Sequence, residues 1–115
     1  MTTYIQVRRY PRFPVSWSSR VRIGNEQEEQ SQLVDLSQGG VSVLYPRHVR
    51  LGESVELLFD PDIGGQERAV YGEVRHCTPL GAQRVVGVEF KDIEPQAFET
   101  IREFIRQNLE LRTSE

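Results

Sequence analysis

Two short runs hold the side chains best equipped for chemistry. Residues 7–13 read VRRYPRF and place Arg8, Arg9 and Arg12 within five positions, and residues 35–40 read DLSQGG, offering Asp35, Ser37 and Gly40. A guanidinium is a planar fork of donors that bonds phosphate oxygens and guanine bidentately and stacks on flat rings. An ionised carboxylate can accept the hydrogen bonds that the N1 and N2 edge of guanine donates, a serine hydroxyl donates or accepts, and glycine lets a ligand approach the backbone. Each run also has a plainer reading. The arginines could form a solvated basic tail, and DLSQGG could be a hairpin in which Asp35 and Ser37 bond nearby backbone while Gly39-Gly40 supplies unusual dihedral angles. Pro11 disfavours the helical region for Tyr10, so the arginines sit on an extended or turning arm.

The remaining reactive residue types form no convincing site. Cys77 is the only cysteine, which excludes a disulfide framework and a cysteine-held metal. His76 and Cys77 are neighbours in an expected strand and face opposite ways, while His48 follows Pro46 near a turn. Asp60 and Asp62 flank Pro61, a pattern that makes a turn more readily than a cation site. Neither catalysis nor a metal is expected.

Charge narrows the ligand class. The 115-residue chain has a net charge of −3, which argues against general affinity for DNA or RNA, since that affinity comes from neutralising many phosphates. The distribution is uneven: residues 1–25 carry five arginines and no acid, whereas residues 92–115 carry six acids against three arginines. Thirteen of the fourteen basic residues are arginine, which makes a nucleotide ligand one to consider. No stretch approaches the roughly 20 apolar residues that span a bilayer, and the amino terminus lacks the apolar middle of a secretory signal. The chain is therefore expected to be cytoplasmic, with no membrane insertion.

The elements that must position these residues are strands. Val15, Trp17, Val21 and Ile23 alternate with polar residues, with Ser19 the exception on their face. After the polar run NEQEEQSQ, Val34 and Leu36 claim the core face of a second strand, so Asp35 and Ser37 project together from the other. Val41, Val43 and Tyr45 make a third, expected to pair with the second as a hairpin, and Val55, Leu57 and Phe59 a fourth. A fifth covers about Glu67 to Cys77, followed by a turn over Thr78–Gly81 and a sixth through RVVGVEF. The period then changes: Pro95 suits a first helical turn, and Phe98, Ile101, Ile105 and Leu109 form one apolar stripe. Six short strands with short turns predict a single all-β domain, a closed or nearly closed antiparallel barrel with a carboxy-terminal amphipathic helix over one opening. Residues 1–13 are expected to be a flexible arm, 14–110 the domain and 111–115 a disordered tail.

RxxxR, then DxSxxG at the next strand junction, then an aliphatic GVEF strand and a helix, together resemble the PilZ domain family over about Val7 to Leu109. That resemblance implies a six-stranded barrel with a carboxy-terminal helix and a ligand, cyclic di-GMP, with no other cofactor. It implies that Arg8 and Arg12 are the motif arginines, Arg9 the additional one, and Asp35, Ser37 and Gly40 the second half of the site. In the family the position of Val7 influences whether one nucleotide or a stacked pair binds; the valine leaves both open. The expected mechanism is a switch: the arm orders over the nucleotide and an unidentified downstream protein reads the ordered surface. By family analogy the process is motility, adhesion or polysaccharide secretion. The competing expectation is a PilZ-like interaction module that binds no nucleotide.

Overall fold

The computed structural model describes residues 11–60 and 66–113. Arg8, Arg9 and Asp62 lie outside these residues, as does most of the expected arm. Six strands are followed by one helix: β1 (Phe13–Ile23), β2 (Glu29–Leu36), β3 (Gly40–Tyr45), β4 (Ser54–Asp60), β5 (Arg68–Leu80), β6 (Gln83–Ile93) and α1 (Pro95–Thr113). All pairings are antiparallel, and the order β1-β2-β3-β6-β5-β4 closes on itself through β1 and β4. Closure pairs both edges of what would otherwise be an open sheet.

Alternation builds the interior. Val21 and Ile23 of β1, Val55, Leu57 and Phe59 of β4, and Val70 and Val74 of β5 are buried together with Val41, Val43 and Tyr45 of β3. Ser19 keeps the inward position its spacing dictates, and its buried hydroxyl has no hydrogen-bond partner among the described residues. On α1 the buried face consists of Ala97, Ile101 and Ile105, with Phe104 packed beside them. The expected stripe is thus shifted around the helix: Phe98 and Leu109 are 37% and 43% exposed. Positions 97, 101, 104 and 105 share one narrow face, and alanine is small enough to bring the first turn close. Phe104 meets Phe13 edge-on at 6.3 Å and Trp17 at 5.0 Å, while Trp17 stacks on Phe59 at 5.6 Å.

Several boundaries differ from the sequence reading. Phe13, placed in the arm by its sequence, is a buried residue of β1, and α1 continues to Thr113 through part of the expected tail. β2 begins at Glu29, inside the polar run, because Glu29–Gln32 pair with Val21–Ser18 and backbone pairing needs no apolar side chain. The expected turn at Thr78–Gly81 is strand up to Leu80, and the hairpin turns at Gly81-Ala82, with Gly81 at φ 59°.

Irregular pairing matters most in β2. Leu33 pairs with Val43 but Asp35 with Ser42, so β2 carries an extra residue there, a β-bulge. Leu33 and Leu36, three apart, are the buried residues, and Val34 is only half-buried. The expectation that Val34 and Leu36 share the core face is corrected: the bulge changes which side chains face inward.

Candidate nucleotide-binding groove

Arg12 immediately precedes β1, whose second residue, Pro14, pairs with Asp35 of β2. This register brings the two motifs together: Arg12 Nη1 lies 3.8 Å from Asp35 Oδ2, and both side chains are about one-third exposed. The pair is an ion pair too long for a good hydrogen bond, so both groups retain bonding capacity.

Ser37 follows the end of β2 and is buried within the turn that leads to β3. Its hydroxyl oxygen accepts from the backbone N–H of Gly40 at 3.1 Å and of Gly39 at 3.3 Å, and the Ser37 N–H donates to Gly40 O at 2.8 Å. The plainer reading of Ser37 as a turn-forming residue is therefore what the geometry shows, although Ser37 also lines the groove. Neither Gly39 nor Gly40 has a positive φ. Gly40 is needed for a different reason: a Cβ there would lie 2.3 Å from Val88 O of β6. The glycine permits close backbone approach, and the turn is locked further by the Phe90 N–H donating to Gly39 O at 3.0 Å.

Arg12, Ser37, Gly39 and Gly40 border an open groove of about 460 Å³, a size suited to a small ligand, whereas Asp35 is not one of its lining residues and reaches it only through its pairing with Arg12. Arg12 and the Ser37–Gly40 turn form one side; Arg75 and His76 of β5 and Glu89 of β6 form another. Glu89 accepts from Arg75 Nε at 2.6 Å and from Lys91 Nζ at 2.8 Å. Those bonds, Arg75 first, hold the Glu89 carboxyl down to about 2, and the same bond raises the pKa of Arg75. The groove thus presents two guanidinium groups and a carboxylate that is ionised at neutral pH.

The second histidine has a different neighbour. His48 Nδ1 lies 3.9 Å from Cys77 Sγ, a contact across the fold rather than the sequence-neighbour pair His76–Cys77. Among the described residues no group of three or more His, Cys, Asp or Glu could hold a metal. No helix among them is long and apolar enough to cross a membrane.

The sequence matches the PilZ domain model over residues 6–107. The chain belongs to the PilZ domain family. Solved structures share its fold at low identity. The Bacillus subtilis inhibitor of motility MotI/DgrA is 20% identical with a TM-score of 0.74, covering 92% of this chain and 53% of its own. The complex of K. pneumonia MrkH with c-di-GMP is 18% identical with a TM-score of 0.66, covering 96% and 57%. The PilZ domain of YcgR from Escherichia coli with c-di-GMP is 16% identical with a TM-score of 0.62, covering 95% and 97%. The chain spans about half the length of the first two and nearly all of the third. No curated protein matches it. Within this PilZ domain, Arg75, His76 and Glu89 are the groove residues that the sequence reading missed, because no single-sequence signal marks which outward residues of β5 and β6 border the turn.

Proposed function

We propose that the chain is a cyclic di-GMP receptor, binding the nucleotide in the groove with Arg12, Asp35, Ser37 and Gly40, together with Arg8 and Arg9 from outside the described residues. The observation that carries this reading is the juxtaposition of Arg12 and Asp35 at 3.8 Å beside the Ser37–Gly40 turn. A guanidinium next to a carboxylate offers donors for phosphate or the O6/N7 edge of guanine and an acceptor for its N1 and N2 edge. Ser37 and Gly40 act chiefly by fixing the turn. Binding, not catalysis, is the output: the arm closes over the nucleotide and a protein partner reads the closed surface. Membership of a family with cyclic di-GMP complexes supports the ligand.

Isothermal titration tests it. The wild-type chain is expected to give saturable binding, and Arg12→Ala or Asp35→Ala, each still folded, is expected to weaken it at least tenfold, about 1.4 kcal/mol. Affinity should also fall as salt rises, since phosphates are engaged by arginine. A folded wild-type chain that binds nothing at high micromolar ligand would overturn the receptor reading in favour of a pure interaction module.

A further inference from the structure

We propose that Arg75 is a further ligand-binding residue, which holds a phosphate from the β5 side of the groove while Glu89 orients it. This inference rests on the receptor reading above, and extends it to a residue outside both motifs.

The local backbone is the first reason. Val74 pairs with Val88 and His76 with Gly87, so Arg75 is the extra residue of a bulge. In a regular strand successive side chains face opposite ways, yet Arg75 and His76 both line the groove. The bulge thus aims two consecutive side chains at the same space. Beneath them β6 has no side chain at Gly87, where a Cβ would lie 2.2 Å from the His76 ring. The ring lies directly over backbone, and the groove stays open there.

Electrostatics is the second reason. In the barrel order, β3 and β6 separate the β2–β3 turn from β5, so Arg75 approaches the groove from the side away from Arg12. A ligand with two phosphates then meets a cation on each side. Arg75 Nε donates to Glu89 at 2.6 Å, whereas its Nη2 makes only a 3.4 Å contact with Glu73. The guanidinium is anchored at one end and loosely held at the other. The groups in its pairs are 40% to 44% exposed, and such screened pairs are readily exchanged for a phosphate. Lys91 shares Glu89, so the carboxylate remains neutralised when Arg75 turns its Nη groups toward the ligand.

The test is titration of the full chain with cyclic di-GMP at two salt concentrations, with circular dichroism to verify folding. Arg75→Gln is expected to weaken binding about tenfold and to flatten its salt dependence, whereas Arg75→Lys should keep the salt dependence and lose less affinity. Arg102→Gln, on the exposed face of α1, should bind as wild type. Glu89→Gln should weaken binding only while Arg75 is present, the non-additivity expected of a positioning residue. If Arg75→Gln binds as wild type with unchanged salt dependence while Arg12→Ala does not, the role of Arg75 is refuted and the receptor reading stands. If the wild-type chain binds no nucleotide, both are refuted.

Discussion

Two glycines beside the groove resemble each other in sequence but not in what surrounds them. At Gly40 the obstacle to a side chain is the Val88 carbonyl, part of the β3–β6 ladder, and backbone of a closed barrel cannot retreat without breaking pairing. At Gly87 the obstacle is the exposed ring of His76, which can rotate away. Gly40→Ala is therefore expected to destabilise the fold by about 3 kcal/mol, as overpacking against an unyielding neighbour does. Gly87→Ala should cost less than about 1 kcal/mol and instead displace His76. Urea denaturation of the two variants measures the difference, and equal midpoints would refute it. The DxSxxG glycine was legible as a necessary residue, but its reason was not: the sequence suggested ligand approach to the backbone or special dihedral angles, whereas the obstacle to a side chain is a carbonyl 48 positions away.

At the scale of elements, α1 is joined to the barrel through an aromatic cluster. Phe104 lies against both Phe13 and Trp17, so Phe104→Ala should lower stability by about 2 kcal/mol, less than full burial would give because the ring is only partly covered. Trp17 is the only tryptophan, and its emission should shift to longer wavelength in the folded variant; an unchanged spectrum would place the helix elsewhere. The strands were readable wherever one face alternates without interruption, as in Val55, Leu57 and Phe59, and the helix wherever the period changed at Pro95. The bulges at Val34 and Arg75 were not readable, because a bulge is defined by a partner strand's register. The first leaves Val34 half-buried between Leu33 and Leu36, and the second brings both Arg75 and His76 to the groove. The stripe on α1 was found in kind but displaced, since Ala97 carries too little apolar area to stand out in a pattern.

Across the whole molecule, surface charge is organised as ladders of paired groups, and these set the response to pH. The carboxyls of Glu67 and Glu103 are lowered by bonds from Arg20 and Arg106, and Glu89 is held at about 2 by Arg75 and Lys91. A carboxyl depressed in the folded state stabilises it above the unfolded value of 4.5 and loses that contribution as pH falls through the folded value. Thermal unfolding should thus be flat in this respect from pH 7 to 5 and fall between about pH 4.5 and 2, less steeply in Glu89→Gln; a midpoint that rises over that interval would contradict the sign. One further feature spans the molecule. Arg12, at the groove, and Phe13, beneath the helix, are consecutive residues, so one peptide unit separates the groove from the seam between barrel and helix. Under the proposed receptor reading, a guanidinium that shifts toward a nucleotide shares its backbone with the phenyl ring packed against Phe104. On that reading the seam of α1, one residue from the groove, is the first packed interface that occupancy of the groove would load.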